Sequence, residues 1–396
     1  MSAFGRADFP ILSRRLDGRR LVYLDSAATA QKPRQVLDAM RAFYEHSNSN
    51  AHRGVYRLGE EASAELEAAR EAVGRFIGAQ SSAEVIFTRG TTEALNLVAS
   101  GWAMARLRPG DEVVVTELEH HSNYLPWQRI AGATGATFRV LPVDADGRLQ
   151  PYELSPRTKV VAVAHISNVL GVSLPVRELV RAARAVGAAV VVDAAQSVPH
   201  QRISVQDLDC DFLAFSGHKL LGPSGIGVLW GKRERLEETE PLLVGGGMVR
   251  DAFSQTWLDL PHKLEAGTQA LADAVGLRAA IEYLEALGMD AVGAHARELS
   301  SAAVRALSQL KGVRVHAAAS ERESVVSFEL TKVHPHDLAS FLDTRAICVR
   351  AGHHCAQPLM RRLGVSGTVR ASVQVYSTAE DIALLAAAVD EARTAL

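Results

Sequence analysis

The sequence predicts an α/β protein: a large unit built on a mostly parallel, mixed sheet sandwiched by helices, followed by a smaller α+β unit. Short β-branched runs alternate with amphipathic stretches from about Tyr23 onward, which implies repeated strand–helix–strand units and a sheet covered on both faces. The pattern changes after Gly267, where two long helical stretches lead into a few short strands. Apolar residues make up 47% and charged residues 22% of the 396 residues, the balance of a folded chain long enough for two domains. The expected division is 22–268 for the large unit and 269–396, joined by 1–21, for the small one.

Within the large unit, Val85–Thr88, Glu112–Thr116, Thr137–Leu141, Lys159–Ala164, Ala189–Asp193, Phe212–Phe215 and Ile226–Trp230 read as buried strands. Thr91–Ala105, Asn123–Thr134 and Pro175–Val186 read as helices between them; Pro175 suits a first helical turn and Gly187 the residue beyond a last one. In the small unit, Leu271–Leu287 and Asp290–Leu310 read as helices and Val313–His316 and Ser324–Leu330 as strands. The helix His336–Leu342, the strand Ile347–Arg350 and the helix Thr378–Ala395 follow.

Bulk properties narrow the function classes. A formal charge of -2 gives no broad electrostatic reason to expect nucleic acid or a membrane surface as partner. The longest apolar runs, Val160–Ala164 and Ala188–Val192, are strand-sized, and Met1–Leu12 carries Arg6, Asp8 and Pro10 instead of an apolar signal core. Three cysteines in so long a chain do not make a disulfide framework, so a reduced, cytoplasmic protein is expected.

The motifs that carry chemistry lie at predicted strand ends, where ligands of open α/β sheets gather. Lys219, in Ser216-Gly217-His218-Lys219, follows a strand and precedes a Gly/Pro break; it can form a Schiff base with an aldehyde cofactor, with Ser216 and His218 near a phosphate. Asp193 ends another strand and can pair with a pyridinium nitrogen, so that the ring serves as an electron sink, while Gln196 can reach the ring's phenolic oxygen. In Arg89-Gly90-Thr91-Thr92-Glu93, a glycine and the Thr91 and Thr92 hydroxyls open a helix, which suits an anion and equally suits a plain helix cap. His120 can stack on an aromatic cofactor and move protons, and Asn168 can reach the ring oxygen. The paired His120 and His121 also admit a metal, but adjacent residues on a strand face opposite ways.

A second cluster lies in the smaller unit. Cys355 stands in Arg350-Ala351-Gly352-His353-His354-Cys355 on a loop bracketed by Gly352 and Pro358, and nearby positive charge favours the attacking thiolate. A His-His-Cys metal site is the competing reading, disfavoured because three consecutive residues rarely ligate one tetrahedral ion. Cys210 and Cys348 sit in apolar stretches and read as inert. Arg370 reads either as a surface arginine or as the planar fork that holds an amino acid's carboxylate.

These segments together resemble the group II cysteine desulfurases, the type associated with SUF iron–sulfur cluster assembly, and the related selenocysteine lyases. Both are class-V aminotransferase-like enzymes of the pyridoxal-phosphate-dependent transferase fold type I. The resemblance runs from Tyr23-Leu24-Asp25-Ser26-Ala27-Ala28-Thr29 to Arg370-Ala371-Ser372 and is most specific at Ser216–Lys219 and Arg350–Cys355. It implies pyridoxal 5'-phosphate as cofactor, L-cysteine as substrate, L-alanine as product and a persulfide on Cys355. By position, Lys219 would be the Schiff-base lysine, Asp193 and Gln196 would bind the ring, and His120 would stack on it beside Asn168. Thr92, Ser216 and His218 would hold the phosphate, and Thr268 would reach the phosphate of a neighbouring subunit, implying a homodimer. Arg370 would take the substrate carboxylate, with His52 and Arg350 lining the same pocket and His120 moving a proton at sulfur. A sulfur acceptor of the SufE or SufU type is the implied partner. Selenocysteine lyase, aminotransferase and sulfide-releasing β-lyase are the alternatives on this scaffold. Gln269, Ser377 and a short 247–257 segment depart from the family's usual pattern.

Overall fold

A computed structural model describes residues 5–52 and 55–396. Its central seven-stranded sheet runs in the order Val85–Thr88, Gly227–Gly231, Phe212–Ser216, Ala189–Asp193, Thr158–Ala164, Glu112–Thr116, Thr137–Leu141. Only Gly227–Gly231 opposes the others, pairing antiparallel with both neighbours. Val85–Thr88, Glu112–Thr116, Thr137–Leu141 and Ala189–Asp193 have the predicted bounds, and the other three strands agree to within a residue at each end. Successive residues of one strand enter opposite cores: Val114, Val161, Val163, Val190 and Val192 join one apolar cluster, while Val113, Val115, Val160, Ala162 and Val191 join another. A strand buried on both faces needs the unbroken valine runs seen here.

Several elements differ from the sequence reading. Residues 34–77, left without elements there, carry the helices Arg34–Ala42 and Arg57–Ile77, the second stopped by Gly78 at φ 71°. The helix expected over Thr91–Ala105 is α-helical for Thr91–Leu97 and then widens into π turns over Val98–Ala103. The single strand expected over Ile347–Arg350 is two. Ile347–Cys348 pairs in parallel with Val22–Tyr23, and Arg350–Gly352 pairs antiparallel with Thr368–Ser372. The chain changes sheets at Val349, which brings Arg350 opposite Arg370 in the register.

The second sheet has four antiparallel strands in the order Val313–Val315, Val325–Leu330, Thr368–Ser372, Arg350–Gly352. Its core takes Leu299, Phe328, Leu385 and Val389 together with Val22 and Leu24 from the N-terminal part of the chain. Helix Leu271–Leu287 puts Leu277, Ile281 and Leu284 into the large cluster with Leu66 and Val73. Both packings cross the division at 22 and 269 expected from the sequence. Among the described residues no helix is long and apolar enough to cross a membrane.

Candidate active site

The carboxyl ends of the parallel strands open on a cavity of about 280 Å³. Thr91, Thr92, His120, Asn168, Asp193, Gln196, Ser216, His218, Lys219, Arg350, Cys355 and Arg370 all line it. Parallel strands deliver their following residues to one edge of the sheet, which is why the motifs from Thr91 to Lys219 converge there. The convergence also needs glycine. A Cβ on Gly227 would stand 2.4 Å from the Gly90 Cα, so only a bare backbone lets the Gly90 turn close on the strand beside Ser216. There the Thr91 N–H donates to Ser216 Oγ at 2.9 Å, and Thr91 Oγ1 lies 2.7 Å from the same oxygen. Thr92 Oγ1 lies 2.8 Å from Ser122 Oγ, which completes a patch of hydroxyls at the cavity wall.

Asp193 is buried at its strand end, its Oδ1 accepting the Ala195 N–H at 2.9 Å. Burial raises its pKa, opposed by the Lys219 charge. Lys219 is lowered by burial, opposed by Asp193. Both shifts have one cause: a poorly solvated cavity weakens each charge, and the partner only partly restores it. The Lys219 turn is held from outside, where the His218 carbonyl accepts from the Ala30 N–H at 2.9 Å and from Lys32 Nζ at 3.1 Å. Burial pushes the His218 ring down to about 4, so it is neutral.

His120 follows strand Glu112–Thr116 by a short turn. Its Nδ1 accepts the Ser122 backbone N–H at 3.1 Å. A nitrogen that accepts carries no proton, so the neutral ring holds its hydrogen on Nε2. Burial, then Lys219, His121 and Arg370, push His120 down to about 3. The ring is therefore a hydrogen-bond donor through Nε2. Beneath it, the buried Glu119 accepts from Thr116 Oγ1 at 2.7 Å and from Asn123 Nδ2 at 2.6 Å, and fixes the turn.

The cysteine loop reaches this cavity from the second sheet. Gly367 passes so close to Gly352 that an added Cβ would meet its carbonyl carbon at 2.8 Å. His354 and Cys355 both lie in the left-handed region, at φ 51° and 54°, a conformation that costs a non-glycine residue about 1 kcal/mol or more. Backbone bonds hold it: the Cys355 carbonyl accepts the His121 N–H at 2.7 Å, and the His354 carbonyl accepts from Asn168 Nδ2 at 2.8 Å. The Gln357 N–H donates to His121 Nε2 at 3.2 Å. The Cys355 side is left exposed, whereas Cys210 is buried.

Two arginines close the cavity, with Asp25 between them. Arg350 donates to Asp25 through Nε at 3.2 Å and Nη2 at 3.0 Å. The buried Arg370 donates from Nη1 to the Asn168 carbonyl at 2.9 Å and from Nη2 to Asp25 at 3.3 Å, while its buried Nε has no partner. Burial lowers Arg370 to about 10, which still leaves it charged at neutral pH. The sequence reading did not single out Asp25, Ser122 or His354; Asp25 had no lone signal beyond its place in the Tyr23–Thr29 motif.

Two expected residues lie elsewhere within the single chain. His52 does not line the Lys219 cavity. It faces a second cavity of about 360 Å³ together with Thr268, Gln269 and His262. The His52 N–H donates to Ser63 Oγ at 2.8 Å and its ring packs 4.8 Å from that of His262, which fixes it on the Arg57–Ile77 side of the molecule. Thr268, expected to serve a neighbouring subunit, is exposed there. The 247–257 segment is a short hairpin, Val249–Asp251 against Thr256–Trp257, with Phe253 fully exposed. Among the described residues no group of three or more histidine, cysteine, aspartate or glutamate side chains is placed to hold a metal ion.

The donor set fits pyridoxal phosphate. An amine of lowered pKa suits an aldehyde, a buried carboxylate suits a pyridinium, and the Thr91, Thr92, Ser122 and Ser216 hydroxyls suit a phosphate. The buried Arg370 guanidinium, still charged at neutral pH, suits an anion in the same cavity.

Comparison with known proteins agrees. Residues 22–385 match the aminotransferase class-V family. A probable cysteine desulfurase of Halalkalibacterium halodurans is 50% identical, over 97% of this chain and 96% of its own. The apo structure of a cysteine desulfurase from Thermococcus onnurineus superposes with TM-score 0.93 at 38% identity, covering 100% of this chain and 99% of that one. The cysteine desulfurase CsdA of Escherichia coli superposes with TM-score 0.91 at 41% identity, over 100% of both chains. The chain belongs to the class-V aminotransferase family and, within it, to the pyridoxal-phosphate-dependent cysteine desulfurases.

Proposed function

We propose that the chain converts L-cysteine to L-alanine and takes the sulfur onto Cys355 as a persulfide. The observation that carries this reading is that the Lys219 amine and the Cys355 thiol line one cavity, with a buried arginine between strands to hold a carboxylate. Pyridoxal phosphate, when bound, supplies the aldehyde that captures the amino group and the ring that draws electrons from Cα, which makes the Cβ–sulfur bond breakable.

The chain's own residues do the rest. Lys219 Nζ, its amine made easier to deprotonate by burial, takes the Cα proton and returns it. Asp193 keeps a negative partner at the cavity floor, where a cationic ring nitrogen is stabilised. Arg370 turns its fork to the substrate carboxylate, and Arg350 adds positive charge at the cavity mouth. Cys355 Sγ, as thiolate, attacks the substrate sulfur; the S–S bond forms, the Cβ–S bond breaks, and the carbon skeleton takes up the electron pair and a proton to leave as alanine. His120 Nε2–H gives the sulfur a hydrogen bond during that step, its orientation set by the Ser122 N–H at Nδ1.

Two further parts of the reading concern partners. The separate cavity with His52 and Thr268, and the exposure of Leu243 (52%), Val244 (68%) and Phe253 (100%), support a homodimer in which these residues meet the neighbour's site. The exposure of Cys355 supports transfer of its sulfur to an acceptor protein of the SufE or SufU type. The test is L-alanine release from L-cysteine by the purified protein and by Cys355→Ala. Loss in the variant is expected; pyruvate, ammonia and free sulfide formed by both proteins in place of alanine would favour a β-lyase. Turnover of selenocysteine by Cys355→Ala would confine the thiol's role to sulfur.

A further inference from the structure

His354 lies beside the attacking cysteine and has no role in the chemistry above, yet it is 6% exposed and lines the same cavity. Its Nε2 is 3.1 Å from the Thr368 carbonyl and 2.9 Å from Thr368 Oγ1. A carbonyl only accepts, so Nε2 carries the proton and Nδ1 is a bare lone pair. That Nδ1 is buried and has no partner. A buried acceptor left unmatched costs about 1–3 kcal/mol, so its persistence asks for a donor.

One buried donor in the same cavity is likewise unmatched. Thr368 and Arg370 are two apart on the strand Thr368–Ser372, so their side chains project from one face. His354 and Arg370 also line one cavity, and the Arg370 Nε, like the His354 Nδ1, is buried and without a partner. After burial, the Arg370 charge is the largest influence on the His354 ring, which is held down to about 3 and stays neutral. Arg370 spends both Nη groups on the Asn168 carbonyl and Asp25, and these must turn when a substrate carboxylate arrives.

We propose that His354 is a positioning residue for carboxylate recognition: when the two Arg370 Nη groups swing from the Asn168 carbonyl and Asp25 onto the substrate, the Arg370 Nε–H closes onto the free His354 Nδ1 and the guanidinium is anchored there. Specificity for an amino acid over a simple amine then depends on a residue that does not touch the substrate. This rests on the desulfurase reading, with Arg370 as the carboxylate fork.

The test is an absorbance titration of the cofactor-loaded Cys355→Ser protein, in which sulfur transfer stops, with L-cysteine and with cysteamine, which lacks the carboxylate. His354→Gln in that background keeps a donor for Thr368 and removes the acceptor at the Nδ1 position. It is expected to weaken L-cysteine about tenfold and to leave cysteamine unchanged. His354→Asn places an amide oxygen at the Nδ1 position and tolerates a left-handed backbone, and is expected to restore most of the L-cysteine affinity. Equal losses for both ligands, or an Asn variant no better than the Gln variant, overturn the proposal and leave His354 a loop-packing residue. No response to L-cysteine with His354 intact would sink the desulfurase reading itself.

Discussion

The two sides of the cavity are built on opposite plans. The lysine side is sheet and side chain: Asp193, Ser216 and Lys219 stand at the ends of buried strands, and burial weakens the charges there. The cysteine side is loop and backbone: two consecutive left-handed residues, an exposed thiol, and carbonyls that tie the loop to His121 and Asn168. Chemistry that must exclude water sits on the first side. On the proposed function, a sulfur that leaves for another molecule sits on the second, on a loop held by backbone bonds that leave the cysteine exposed.

The largest expected effect tests whether the lysine side alone holds the cofactor. Lys219→Ala should lose the visible absorbance of the lysine-bound cofactor and lower turnover by roughly 10²–10⁴-fold or more; an unchanged spectrum would contradict the assignment. Cys355→Ala should separate the two sides, keeping that absorbance while alanine formation from L-cysteine disappears. If both variants fail alike in cofactor binding, the division of labour is wrong. Arg370→Gln, on the small sheet, should raise the KM for L-cysteine about 10- to 100-fold with a smaller change in kcat, as expected for a lost charged hydrogen bond.

A pH experiment probes the buried side. Burial raises Glu119 from 4.5 to about 8. The folded protein therefore holds this proton more tightly than the unfolded chain. The stabilisation is full below the unfolded pKa and is lost as pH rises through about 8. Glu119→Gln should remove that slope, so the gap between the two proteins in unfolding free energy, from denaturant titration, should shift by on the order of a few kcal/mol between pH 5 and pH 9. Parallel curves would show that Glu119 is ionised throughout. The smallest effect is expected at the second cavity: Thr268→Val should weaken cofactor retention by a few-fold. Mixing it with Lys219→Ala should yield a hybrid whose intact site differs from either parent only if neighbours share sites.

Strand ends were the most legible part of the sequence, because the unbroken valine runs at Val113–Val115 and Val190–Val192 and the Gly/Pro breaks after them are local signals. The lysine and cysteine motifs were legible for the same reason. Asp25 was not, since its value comes from two arginines, Arg350 and Arg370, brought to it by a sheet that no local pattern announces. His354 was hidden by its neighbours His353 and Cys355; only the burial of one nitrogen and the engagement of the other distinguish it. The place of His52 within one chain was not legible, because a motif match carries no information on which cavity of its own chain a residue faces. The change of sheets at Val349 escaped notice because both halves are short and equally β-prone.

The central claim is that one thiol receives sulfur in a cavity shared with the lysine. Mass spectrometry of the peptide carrying Cys355, after brief exposure of the cofactor-loaded protein to L-cysteine, tests it directly. The expected result is one added sulfur atom on Cys355, formed together with alanine, and none on Cys210 or Cys348. Alanine appearing while Cys355 stays unmodified would contradict it.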